Sequence, residues 1–159
     1  MRRFSAMVAV LLLWGCGENA RDQLAAARKS LAEAHYPDAI AAADAGLALK
    51  PDDVTAWGLE LARLEALARA GRGDDTLAQL AKLAQARPAN VPADQYAATA
   101  DQLRAAGQGA AAIQALDQGL QRFPQDDALR GQIEQAKAAP APGSEELKML
   151  ESLGYIDKK

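Results

Sequence analysis

Three prolines, Pro51, Pro88 and Pro124, recur at intervals of 37 and 36 residues and set the frame for everything between them. Self-similarity at such a period is the mark of a chain built from one small structural unit used several times. Each proline stands eight residues after an apolar residue, which stands four after a small one. The triplets are Ala39, Ala43, Pro51; Thr76, Leu80, Pro88; and Ala112, Leu116, Pro124. Proline lacks an N–H and biases its predecessor away from helical backbone, so each marks the end of a helix. Upstream of the last proline, Tyr96, Ala100 and Leu103 open a unit as large, small and large residues. Gly107 falls at the turn and Gly119 at the small position of the second helix. Trp57, Leu61 and Leu64 take the same places in the middle unit, and Gln23, Ala27 and Ser30 in the first. Small residues let the two helices of a unit touch, and large ones fill the gap to the next unit.

This spacing predicts helices near 19–34, 37–49, 53–70, 74–86, 92–105 and 109–122, with a capping helix near 126–138. The middle unit is about three residues too long before Gly71, so its first helix is expected to carry an extra turn. β-Branched residues are scarce and no stretch alternates with period two, which argues against strands. The acidic pairs Asp52-Asp53, Asp74-Asp75 and Asp126-Asp127 fall where helices begin. There a carboxylate accepts otherwise unpaired N–H groups and matches the helix dipole. That reading outweighs acid–base chemistry or a metal site.

The large-small-large opening, the turn glycine, the small residue of the second helix and the closing proline resemble the tetratricopeptide repeat. The resemblance covers roughly residues 20–138. It implies an all-α, right-handed α-solenoid of stacked antiparallel helix hairpins, about three repeats plus a capping helix. It also implies a concave face lined by the first helix of each pair. By repeat position that face includes Arg21, Leu24, Arg28, Leu59, Ala62, Ala98, Asp101 and Arg104. Some relatives hold a chaperone's C-terminal carboxylate with Lys, Asn and Arg. The matching positions here are Leu24, Arg28, Leu59, Asp94 and Ala98, so that clamp is missing. The mixture of apolar and charged side chains suits an unidentified envelope protein or peptide as partner, with a solvated, ligand-free face as the alternative.

The first residues tell a different story. Arg2 and Arg3 precede an uncharged apolar run from Phe4 to Trp14, followed by Gly15 and Cys16. The run is about half the roughly 20 residues a spanning helix needs. A basic start, a short apolar segment and a small residue describe an export signal. Leu13-Trp14-Gly15-Cys16 resembles the bacterial lipobox, although Trp14 stands where a small or β-branched residue is usual. That resemblance implies cleavage after residue 15 and lipid on Cys16, the chain's one cysteine. The alternative is an ordinary signal with a chance cysteine. Gly17 after the cysteine, by the same resemblance, points to the outer membrane with the body in the periplasm. Removing Arg2 and Arg3 leaves 16 of the 18 basic residues against 21 acidic, a net charge of −5. Anchoring is therefore expected to come from the lipid and not from the charge of the body.

The organisation expected is a signal over 1–15, a repeat domain over 16–138, a Pro/Ala linker over 139–143 and a short amphipathic helix and tail over 144–159. In that tail Ser144 is a candidate N-cap and Gly154 a candidate C′ residue. Leu147, Leu150 and Leu153 recur at helical spacing, followed by Tyr155 and Ile156. These apolar residues either fold back on the last hairpin or form a docking element for another protein.

Aromatics make up 4% of the chain and its body has no basic run, so nucleic acid is not an expected partner. His35, the one histidine, lies in a turn without Cys, Glu or a second His at ligand spacing, and no metal is expected. No phosphate loop, nucleophile elbow or dinucleotide fingerprint is present, and no cofactor is expected. The reading is a lipid-anchored protein–protein interaction scaffold of the bacterial cell envelope, without catalytic residues. The alternative is an adaptor of an envelope enzyme that docks through the C-terminal helix.

Overall fold

The computed structural model describes residues 19–138 and 140–157. The signal over 1–15 and Cys16 lie outside the described residues. Within them the fold is all-helical. In chain order the helices are α1 (Ala20–Ala32), α2 (Tyr36–Ala48), α3 (Asp53–Arg69), α4 (Gly73–Ala86), α5 (Ala93–Ala105), α6 (Gly109–Arg122), α7 (Asp127–Ala138) and α8 (Glu145–Ser152). A short 3-10 turn, Pro88–Asn90, separates α4 from α5.

Three turns fix the arrangement, and they are built alike. Ala34, Gly71 and Gly107 all take left-handed backbone, with φ of 59°, 70° and 75°. Around each, the next N–H reaches back to close the preceding helix: His35 N to Ser30 O at 2.8 Å, Arg72 N to Leu67 O at 3.0 Å and Gln108 N to Leu103 O at 2.8 Å. This is the Schellman closure, which satisfies carbonyls that a helix end leaves without partners. The carbonyl of the same residue then accepts the first bond of the following helix, from Ala39 N, Thr76 N and Ala112 N respectively. One residue thus ends one helix and starts its antiparallel neighbour, in three places spaced 37 and 36 residues apart.

The packing is stepwise. The pairs α1/α2, α2/α3, α3/α4, α5/α6 and α6/α7 are in contact, and so are α1/α3, α3/α5, α5/α7, α4/α6 and α6/α8. The odd-numbered helices therefore form one layer, and α4, α6 and α8 lie side by side in the other. The six small or apolar residues that precede the prolines, Ala39, Ala43, Thr76, Leu80, Ala112 and Leu116, are all buried, as their spacing requires. Gly46 and Gly119, 73 residues apart, do the same job: a Cβ on Gly46 would sit 2.8 Å from Leu59, and one on Gly119 2.9 Å from Leu129 and Tyr96. The close approach leaves no room for a side chain at either place.

The sequence register fails in α3. Aligning Ala34, Gly71 and Gly107 puts the extra turn of α3 at its N-terminal end. Leu64 and Leu67 then match Ala100 and Leu103, and all four are buried. Trp57 and Leu61, assigned to the opening positions, are half-buried. Arg87 forks onto both carboxylate oxygens of Asp53 and lies 5.4 Å from the Trp57 ring, which holds the added turn against the end of α4. Tyr96 does keep its expected place: it is buried, edge-on to Phe123 at 6.2 Å, and its hydroxyl accepts from Arg122 Nη1 at 2.9 Å. Arg122 also donates to Pro88 O at 2.9 Å, which fastens α6 to the 3-10 turn.

Acidic helix starts divide into two kinds. Asp52 accepts from Thr55 N at 2.9 Å and Asp126 from Leu129 N at 2.9 Å, so both cap. Asp74 and Asp75 lie inside the first turn of α4, where they match the dipole without capping.

The tail folds back. Ser144 caps α8 by accepting from Leu147 N at 3.2 Å. Gly154, with φ of 79°, closes it as Tyr155 N reaches Leu150 O at 2.9 Å. Leu150 is fully buried, and the Tyr155 hydroxyl donates to Asp117 on α6 at 2.8 Å. Helix α8 stands beside α6 and also touches α7, which itself packs on α5 and α6.

Candidate partner-binding face

The layer of odd helices runs in parallel at its open end: Arg21 Nη2 lies 3.8 Å from Asp52 Oδ2, and Leu24 and Arg28 lie over Gly58. With the register taken from the turns, three rows cross α1, α3 and α5. Leu24, Leu61 and Ala97 are half-buried and form an apolar row. Ala25, Ala62 and Ala98 form a row of small residues. Arg28, Glu65 and Asp101 form a charged row.

Six of the eight face residues expected from sequence reach the surface: Leu24 half-buried, and Arg21, Arg28, Ala98, Asp101 and Arg104 exposed. Leu59 and Ala62 do not. Leu59 is 0% exposed because it fills the space over Gly46 between α2 and α3, a result of the three-residue register shift. Ala62 is 6% exposed, although Ala98, at the equivalent position on α5, is exposed. Glu65, Arg69, Gly58 and Val54 are the face residues that the sequence register missed. Counting from the turn at Gly71 puts Gly58 level with Arg21, and Glu65 level with Arg28 and Asp101.

The charges on this face are disposed unevenly. Asp101 accepts from Arg104 Nη1 at 2.8 Å, and Glu65 pairs with Arg69 at 2.8 Å, so these four largely satisfy one another. Arg28 has no ion-pair partner among the described residues. It lies beside a groove of about 550 Å³ lined by Arg21, Leu24, Ala25, Asp52, Val54 and Thr55. Asp52 is held below the usual carboxylate range, chiefly by its bond from the Thr55 backbone and then by the Thr55 hydroxyl, with Arg21 adding to both. It therefore stays ionised beside Arg21 in the groove.

At the tail, Leu150 is buried and Leu147, Tyr155 and Ile156 are half-buried, while Leu153 is 36% exposed. His35 sits in the first turn as expected, 3.7 Å from Glu33. Among the described residues no group of three His, Cys, Asp or Glu side chains is placed to hold a metal ion, and no helix is long and apolar enough to cross a membrane. No protein-family model, curated protein or solved structure matches this chain.

Proposed function

We propose that this chain is a lipid-anchored interaction module of the bacterial cell envelope, held through Cys16 and built as a solenoid of tetratricopeptide-type helix pairs. Its partner is a protein segment that lays an apolar residue on Leu24 and an acidic one against Arg28. The observation that carries this reading is the state of Arg28: an exposed guanidinium, without an ion pair among the described residues, beside Leu24, which packs into the space left by the missing side chain of Gly58. The repeated turns and the stepwise contacts of α1 to α8 support the solenoid. The charged start, the short apolar run and the place of Cys16 support the anchor.

The adaptor reading assigns docking to the tail. Burial of Leu150 and the Tyr155–Asp117 bond commit most of the tail's apolar surface to α6, and only Leu153 remains substantially outside.

The test is recovery of partners from detergent-solubilised envelopes with the full chain, with Arg28→Glu and with Leu153→Asp. Truncating the tail is a poor alternative, because it bares the flank of α6. Loss of a partner with Arg28→Glu and its retention with Leu153→Asp is the expected result. The reverse pattern favours the adaptor, and recovery of nothing by the full chain overturns partner binding.

A further inference from the structure

The described residues expose three large apolar side chains beyond a third of their surface: Leu49 at 51%, Val54 at 82% and Leu153. Two of the three sit in one corner. Leu49 lines a hollow with Asn19, Ala20, Arg21, Pro51, Asp52 and Thr55, and Val54 lines the adjoining groove, which shares Arg21, Asp52 and Thr55 with it. That corner is where the described chain begins. Cys16 precedes Asn19 by three residues, so its Cα lies at most roughly 11 Å from that of Asn19 whatever the path between them. If lipid is attached at Cys16, the bilayer surface falls within reach of Leu49.

The equivalent loops further along do not share the feature. Between α4 and α5 the exposed residues are Pro88, Ala89, Asn90 and Pro92, and between α6 and α7 they are Pro124 and Gln125. Val91, in the α4–α5 connection, is buried, and only the segment around the start of α3 turns a Leu and a Val to solvent. The charges of the corner also fit a lipid surface. Asp52 is matched by Arg21 and Asp53 by Arg87, while Lys50, exposed between Leu49 and Pro51, has no ion pair among the described residues. Lys50 is thus free to meet a phosphate headgroup.

We infer that the segment from Leu49 to Val54, the connection from α2 and the first turn of α3, is a membrane-contact surface: Leu49 and Val54 enter the headgroup–acyl boundary of the bilayer that anchors the chain, and Lys50 meets lipid phosphate. This rests on the lipid-anchor reading above. The contact sets the orientation of the domain, with the first helix pair down and the later pairs leading away. Val54 lies one turn nearer the N-terminal end of α3 than Gly58, so the floor at Leu24 and Arg28 opens just above the lipid.

The test reads depth directly. The chain from Cys16 onward retains every described residue and, with Trp57→Phe, contains no tryptophan. Its thiol is coupled to maleimide lipid in vesicles of phosphatidylethanolamine and phosphatidylglycerol. Tryptophan is then placed singly by Leu49→Trp, Val54→Trp or Gln125→Trp, and quenching by brominated acyl chains is compared. Strong quenching at positions 49 and 54 and little at 125 is expected. Quenching equal at all three positions, or stronger at 125, overturns the inference even though the protein floats with the vesicles. Because the tether is chemical, this outcome is separate from failure of the anchor itself. The anchor is read by incorporation of labelled palmitate in bacteria and its loss in Cys16→Ser.

Discussion

Replacing Leu150 with alanine tests how α8 is held. Among the residues of α8, Leu150 alone is fully buried. The substitution removes three carbons, about 2.4 kcal/mol at roughly 0.8 kcal/mol each, and the cavity raises the total to about 3 kcal/mol. An eight-residue helix has no stability of its own in water, so its persistence depends on docking against α6. What remains after the substitution is the Tyr155–Asp117 bond, the Gln114 contact to Met149 Sδ at 3.2 Å and the Ser144 cap. None of these replaces the lost apolar burial. The amides of residues 147–155 are therefore expected to exchange with deuterium about a hundredfold faster, the equivalent of about 3 kcal/mol. Peptides from α1 to α4 should be unchanged, because α8 packs mainly on α6 and α7. The measurement is peptide-resolved hydrogen exchange by mass spectrometry. Unchanged protection over the tail refutes the claim that Leu150 pins it. A uniform rise across every peptide refutes the claim that α8 opens as a separate unit.

Gly119→Val forces a branched side chain against Tyr96 and Leu129, and urea unfolding should show a loss on the order of 3 kcal/mol. Ala34→Gly relieves left-handed backbone that costs alanine about 1–2 kcal/mol, against about 0.4–1 kcal/mol of added freedom when unfolded. A net gain of about 0.5–1 kcal/mol in the same assay is expected, and a loss shows that the turn tolerates alanine without strain. Burial, and then the bond to Asp117, raise the pKa of the Tyr155 hydroxyl, so the fold favours its neutral form. The resulting stability is fully present below the unfolded value of about 10 and is lost as pH rises beyond it. Protection of α8 should fall in that alkaline range, and Tyr155→Phe should remove part of the dependence.

The helix boundaries were legible because the chain punctuates them with residues whose physics is local. Pro51, Pro88 and Pro124 end helices, and Ser144 and Gly154 bracket α8 by capping chemistry alone. The register of α3 was not legible from its apolar pattern. Trp57 and Leu61 imitate an opening pair at helical spacing, and an added turn displaces that pattern without disturbing its period. The glycine turns carry the better origin, since left-handed backbone is imposed by the chain's reversal and not by what packs on the helix. For the same reason Leu59 was expected on the surface and is buried, while Arg28, Ala98 and Asp101, on helices with standard length, are exposed. Val54 and Leu49 were invisible to sequence reasoning because exposure of an apolar residue is a property of its neighbours.

A stack in which every member offers its successor the same surface that it takes from its predecessor has no inherent last member. In such a stack an uncovered flank is open to the leading pair of another molecule, and then another, in an open filament. Helix α8 covers such a flank on α6 from within the chain. It covers the flank with Leu150 and turns Glu145, Lys148 and Ser152 outward. The proline-containing segment ahead of it lets a helix too short to stand alone arrive as a stopper and not as another rung.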